Sequence, residues 1–274
     1  RLGPCAILTI RIFERDNDLA TPGVGWGLTL NWSLPALRSL LPQDLVLRLP
    51  ETYVDRASVQ AGAISTFPFF DLSTGERKFQ PPKAPEPLRI RVTRQKLREL
   101  LATGVNIEWR VSFSKFDQDR DLVTATFEDG SSTTDRLLLA CDGANSRARR
   151  QLSPSSEIYR IPIRLMGMKL QLDGEKAQLI RNLDPFFLQG TSSENDSSIY
   201  ISWRSDRKIL VPDVRLWPYR KGFLDGETPI DITSSNLERI QLFQRIPSTW
   251  QGPFLTIAKE VATDQKMKAL ELHD

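Results

Sequence analysis

Along the chain, stretches in which apolar residues recur at every second position trade places with stretches in which they recur every third or fourth. "LTIRIFERD" (8–16) is a run of β-formers ending in acidic residues and predicts a strand. "SLPALRSLL" (33–41) predicts a short helix capped by Ser33, with Pro35 in its first turn and Pro42 closing it. "FPFFDLSTGERKF" (67–79) predicts a hairpin turning at Ser73-Thr74-Gly75, and "QPPKAPEP" (80–87) a stiff extended crossing. "TRQKLRELLATG" (93–104) predicts the clearest helix: Thr93 stands at its cap, Leu97, Leu100 and Leu101 share a face, and Gly104 stops it. "VNIEW" (105–109) predicts a strand. "LVTATFEDGSSTTDRLLLA" (122–140) predicts a hairpin about Asp129-Gly130, whose second strand is apolar enough to be covered on both faces. A helical pattern returns at 147–152.

Beyond residue 155 the character changes. "IRLMGMKLQL" (163–172), "SSIYISW" (197–203) and "ILVPDVRLW" (209–217) alternate like antiparallel strands with one exposed face. Helical patterns at 174–183 and 235–246 interrupt them, and "SSENDSS" (192–198) predicts a hairpin tip. No internal repeat or low-complexity tract is present. The expected class is mixed α/β: a nucleotide-type half, then an antiparallel half with helices.

Composition narrows the function classes. A length of 274 residues suits one large domain or two ordinary ones, and 40% hydrophobic with 26% charged residues is ordinary for a globular protein. The net charge is +3 with scattered arginines, so no nucleic-acid partner is expected. Two cysteines imply no disulfide framework and fit a reducing, cytoplasmic setting; Cys141, inside an apolar run, is expected to be a small buried side chain. No apolar run approaches the ~18–20 residues of a membrane span, and no signal peptide is visible. The chain starts at Arg1, which predicts a fragment or a processed product. A single histidine, His273, argues against a Ser-His-Asp hydrolase and a histidine-ligated metal, and the absence of CxxC argues against zinc. No metal site is expected, and no catalytic side chain stands out.

The chemistry-bearing stretch is "LLLACDGANSRARRQL" (137–152). A strand that ends in Asp-Gly and feeds a helix sets a carboxylate at the carboxyl edge of a sheet, where α/β proteins bind nucleotides. Asp142 there would accept hydrogen bonds from ribose or ribityl hydroxyls, Gly143 would admit a ligand without a Cβ in its way, and Ser146 would cap the helix. Arg147, Arg149 and Arg150 would supply charge for a phosphate. An ordinary turn plus a cap accounts for the same residues. Glu14, at the end of "IFERD", is placed to hold an adenosine ribose, or else is a solvated strand end. Arg94, at a helix start, could reach a pyrophosphate, or is one exposed arginine among many. "GVGWG" (23–27) follows the acidic strand instead of preceding it and is rejected as a phosphate cradle. "DPFFLQGTSS" (184–193) offers Phe186 and Phe187 either to a substrate cavity or to ordinary core packing.

In this order, acidic strand end, basic helix start and strand-Asp-Gly-Asn-Ser-Arg-helix, the elements resemble the class A FAD-dependent monooxygenases, the aromatic hydroxylase-like flavoproteins. "IRIFERD" is similar to that family's second Rossmann strand, "GWGLTLNWSLPALRSL" to the segment after it, and "RVTRQKLRELL" to a helix whose arginine contacts the flavin phosphates. The resemblance covers 8–155 well and the rest more loosely. It implies a partial Rossmann-type FAD-binding domain (1–58 and 88–155) and a mixed, largely antiparallel substrate-binding domain (59–87 and 156–274). It implies a flavin reduced by NAD(P)H that uses dioxygen to oxygenate a small aromatic or polycyclic substrate. Glu14 would then bind the adenosine ribose and Arg94 the FAD phosphates. Asp142 and Gly143 would serve the FAD and the nicotinamide path, with Ser146 and Arg149 supporting them. The chain departs from the pattern in two places: no G-x-G-x-x-G precedes "IRIFERD", and no Gly-Asp motif follows "LELHD". Truncation at both ends is therefore expected, and the alternative to an oxygenase is a non-catalytic remnant of one.

Overall fold

The computed structural model describes residues 10–20, 27–83, 88–203, 209–216 and 231–273. Residues 23–26 of the rejected Gly-rich stretch, the end of the proline-rich crossing (84–87), Cys5 and Trp217 lie outside the described residues.

In chain order the elements are β1 (Ile12–Glu14), β2 (Gly27–Leu30), α1 (Leu34–Leu40), α2 (Gln43–Arg48), α3 (Arg56–Gln60), β3 (Phe69–Asp71), β4 (Arg77–Phe79), β5 (Ile90–Thr93), α4 (Arg94–Leu101), β6 (Ile107–Trp109), β7 (Phe113–Asp119), β8 (Leu122–Phe127), β9 (Ser132–Asp135), α5 (Arg147–Leu152), β10 (Arg160–Met168), β11 (Leu170–Gln171), α6 (Gly174–Arg181), β12 (Phe187–Ser192), β13 (Ser197–Trp203), β14 (Ile209–Leu216), α7 (Asn236–Arg245), α8 (Gly252–Ala258) and β15 (Met267–His273). They fold as two compact units, Arg1–Trp26 with Arg94–Ile158, and Gly27–Thr93 with Tyr159–Asp274. The mixed α/β class is as expected. Residues 27–58 and 88–93, grouped from sequence with the nucleotide half, fall in the second unit.

In the first unit β1 and β6 run parallel, with Ile12 opposite Ile107. β7, β8 and β9 form an antiparallel meander. The hairpin turns where expected: Gly130 has φ +85° and the Asp129 carboxylate accepts from the Ser131 amide and hydroxyl. Phe13 on β1 packs 4.6 Å from Phe127 on β8. Helix α4 buries Leu97 and Leu100 and ends before Gly104 at φ +74°, the left-handed conformation that glycine adopts without a Cβ penalty.

One expectation in this unit fails. Residues 137–141 are not a buried strand. The ladder of β9 stops at Asp135, Leu137 and Leu139 are 70% and 75% exposed, and Cys141 is exposed. Apolar character showed what this segment is suited to, but a strand needs a neighbour, and among the described residues none pairs with it. Ser33 makes no side-chain capping bond to α1, whose first turn already contains Pro35 and so needs fewer amide acceptors.

The second unit is built on an eight-stranded sheet in the order β15-β10-β14-β13-β12-β3-β4, with β11 paired to β14. β12 and β3 are parallel and the other pairs antiparallel. The turn between β12 and β13 falls in the predicted tip, with Asp196 at φ +49°. β13 is more deeply buried than a strand with one wet face: Ile199, Ile201 and Trp203 pack in one core with Phe243, Trp250 and Phe254 from the C-terminal helices. The Trp250 indole N–H donates to the Ser197 hydroxyl at 3.1 Å, and Asn195 donates to the Ile246 carbonyl at 2.7 Å, which pins those helices to the sheet. β2 and β5 make a separate antiparallel pair, extended by a bridge between Tyr53 and Val92.

Gly190 on β12 sits opposite Phe70 of β3. A Cβ there would lie 2.6 Å from Leu72 Cδ2 and 3.0 Å from the Phe70 carbonyl oxygen. Leu72 is fully buried and the carbonyl is backbone, so neither yields cheaply. Gly190→Ala is expected to destabilise the second unit by about 1–3 kcal/mol. A urea midpoint unchanged from the parent protein would contradict this packing.

Candidate functional site

Glu14, Arg94, Asp142, Gly143, Ser146 and Arg149, the residues that the resemblance assigns to the cofactor, all lie in the first unit; two groups of contacts surround them. The first is at the end of β1. Arg98 on α4 reaches Glu14 at 3.4 Å and Asp16 at 2.9 Å, and Glu14 also accepts from the Asp16 amide at 3.2 Å. The Arg98 guanidinium stacks 5.5 Å from the Trp109 ring on β6. The acidic strand end is thus tied to the adjoining helix, with one arginine set between two carboxylates. Arg94, one turn earlier on α4, is exposed at the helix start.

The second cluster is the Asp-Gly turn. Asp142 Oδ2 accepts from the Arg147 amide at 2.8 Å, and Ser146 caps α5 by accepting from the Arg149 amide at 2.9 Å. Two parts of the helix entry are thereby satisfied from one loop. Gly143 has φ +78° and open space where a Cβ would stand. The Arg149 guanidinium donates to the Ser156 carbonyl at 3.1 Å and the Ala144 carbonyl at 3.4 Å, so it closes the loop on itself. Arg147 donates to the Phe113 carbonyl at 2.7 Å and pairs with Glu128, fastening the loop to the meander. Three of the basic charges expected to meet a phosphate therefore have structural work; Arg150 donates to the Asn145 carbonyl at 3.0 Å.

One atom in this cluster is left over. Asp142 Oδ1 is buried and has no hydrogen-bond partner among the described residues. A buried carboxylate oxygen without a donor is costly, and an incoming hydroxyl would relieve it. Burial raises the Asp142 pKa, but the Ser146 hydroxyl and the Arg147 and Ala148 amides outweigh it and hold the carboxyl below its ordinary value. A carboxylate whose pKa is lowered by folding stabilises the fold above its unfolded pKa, and that contribution is lost as the pH falls through the folded value. The stability difference between the parent protein and Asp142→Asn should therefore hold steady from neutral pH down to the ordinary carboxylate range and shrink as the pH falls through and below that range. Urea titrations across that range check it.

The second unit holds a recess that the sequence reading only touched. It is an open depression of about 470 Å³ including its mouth, lined by Tyr53, Asp55, Arg89, Arg91, Phe186 and Phe187 among others. Its wall is set by Asp184, which is 2% exposed. One carboxylate oxygen accepts from the Ser65 hydroxyl and the Thr66 amide, and the other from the Phe186 and Phe187 amides, all at 2.9–3.0 Å. Phe186 and Phe187 line this recess and are also 8% and 4% exposed, as core packing requires. Arg89, Arg91, Asp55 and Asp184 were not singled out from sequence. The signal was there in "LRIRVT" (88–93), where arginines alternate with buried Ile90 and Val92 at the strand period.

No family model matches the chain. The chain is 36% identical to a protein of Arthroderma benhamiae named "Probable FAD-dependent monooxygenase", over 97% of this chain and 65% of that protein. It is 31% identical to the FAD-dependent monooxygenase dbaB of Emericella nidulans, over 96% of this chain and 68% of that protein. The chain thus spans about two thirds of the length of these relatives. A solved structure from Photorhabdus luminescens subsp. laumondii, described as an FAD containing monooxygenase, superposes on 96% of this chain and 69% of its own at a TM-score of 0.72, with 19% sequence identity, a likeness of fold. No helix among the described residues is long and apolar enough to cross a membrane.

Proposed function

Because the chain belongs to the FAD-dependent monooxygenases, we propose that it serves an FAD-dependent oxygenation of a small aromatic or polycyclic substrate, with NAD(P)H as reductant and dioxygen as oxidant. The observation that carries this reading is the buried, unpartnered Oδ1 of Asp142 beside Gly143, whose bare Cα leaves room for a ligand. That pairing fits a hydroxyl-rich nucleotide. Bound FAD supplies the redox chemistry; the protein supplies position and the exclusion of water.

Within the first unit, Asp142 would accept a cofactor hydroxyl, with Gly143 giving clearance. Ser146 and Arg149 act one step back, by holding the loop that aims Asp142. Glu14 would meet the adenosine ribose with Arg98 holding its carboxylate in place, and Arg94 would meet the phosphates from the start of α4. Aromatic walls in the second unit suit an apolar planar substrate.

The test is made on protein expressed from the whole reading frame that contains these residues. The expected product is yellow, and it consumes NAD(P)H while placing oxygen in an organic product. A colourless, inert protein would favour the non-catalytic remnant, a reading that gains no support from the relatives. NAD(P)H consumption with no oxygenated product would instead indicate a flavin reductase or dehydrogenase.

A further inference from the structure

We propose that the recess in the second unit is an anion site, built by Arg89 and Arg91 to receive the carboxylate of a planar aromatic acid. Arg91 lies on β5 and Arg89 just before it, two positions apart on one side of the strand, while Ile90 and Val92 are buried on the other. The Arg91 guanidinium is held on several sides. Its Nη1 donates to the Thr29 hydroxyl at 3.0 Å and the Tyr200 hydroxyl at 2.9 Å. Its central carbon stands 5.3 Å from the Phe187 ring and 5.9 Å from the Tyr200 ring. Beneath it is Gly27, where a Cβ would come within 2.9 Å of Nη2. The missing side chain on β2 is the space that the guanidinium occupies.

Held this way, Arg91 keeps one buried donor, Nε, with no acceptor among the described residues, and Arg89 Nη1 is buried in the same condition. Arg91, held in place, and Arg89 thus bring two cationic donors without an acceptor among the described residues to one recess, and an anion is the group suited to meet them. The recess has one carboxylate of its own, Asp55, and it is committed. It accepts from the Ser58 amide at 2.9 Å and the Ser58 hydroxyl at 2.8 Å, and lies 3.7 Å from Arg181, whose guanidinium stacks 4.4 Å from Trp203. The recess therefore carries a surplus of positive charge, beside the rings of Phe186 and Phe187. Aromatic walls with cationic donors select a flat apolar body bearing one negative group, and disfavour a bare phosphate, which gains nothing from the rings.

This assignment deepens the substrate side of the proposed function, yet its test uses neither FAD nor turnover, so either can fail alone. The probes are 2-naphthoate, its neutral counterpart 2-naphthylmethanol, and inorganic pyrophosphate, titrated calorimetrically into the whole chain. The acid is expected to bind at least about tenfold more tightly than the alcohol. Arg91→Gln and Arg89→Gln are each expected to weaken the acid about tenfold or more without altering the alcohol, while Arg91→Lys retains part of the affinity. Equal binding of acid and alcohol, or no binding of the acid in the millimolar range, overturns the proposal. Pyrophosphate displacing the acid as effectively as the acid displaces itself also overturns it, in favour of a phosphate site. The acid-alcohol comparison uses the unaltered protein and stands even if an arginine variant fails to fold.

Discussion

Asp184→Ala is expected to cost the second unit about 3–5 kcal/mol, a large share of a domain's stability. The carboxylate is buried and accepts four hydrogen bonds, three of them from the backbone amides of Thr66, Phe186 and Phe187. Removing it strands those amides in a place water reaches poorly, and each stranded donor costs about 1–3 kcal/mol, partly recovered by relaxation. The consequence extends to the recess. Residues 65–66 and 186–187 are joined through this one side chain, and Phe67, whose amide donates to the Ser65 hydroxyl, holds φ +46°, an uncommon conformation for an aromatic residue. Loss of Asp184 frees that segment to relax and takes the recess wall with it. Asp184→Asn keeps only one of the two acceptor oxygens and turns an NH2 donor towards the other pair of donors, so it should still lose about 1–3 kcal/mol. Urea denaturation measures both, and a loss below about 1 kcal/mol for the alanine variant would show the amides satisfied elsewhere.

The hairpins, the helix at 94–101 and the antiparallel character of the second half were legible because each depends on local chemistry: Asp129-Gly130, Gly75 at φ +77° and the Leu97/Leu100 stripe act within a few residues of themselves. The cap at Ser146 and the turn at Gly143 were legible in the same way. The errors occurred where pairing is a property of neighbours. "RLLLAC" reads as a strand covered on both faces, yet among the described residues it has no partner, and Leu137, Leu139 and Cys141 stand open. The arginines at 147, 149 and 150 read as charge for a phosphate; the sequence did not show that they also bind backbone carbonyls, Arg147 that of Phe113 on β7, Arg149 that of Ser156 and Arg150 that of Asn145. The recess was missed because Tyr53, Arg89 and Phe186 are brought together only by tertiary structure.

The most direct measurement compares FAD affinity in the protein from the whole reading frame with its Asp142→Ala variant, by equilibrium dialysis, at matched thermal stability. The carboxylate oxygen that has no donor among the described residues is the one proposed to meet the cofactor, so the variant should bind FAD about 10–100-fold more weakly. Equal affinities would leave that oxygen without a ligand and would contradict the assignment of the Asp-Gly turn to the flavin nucleotide.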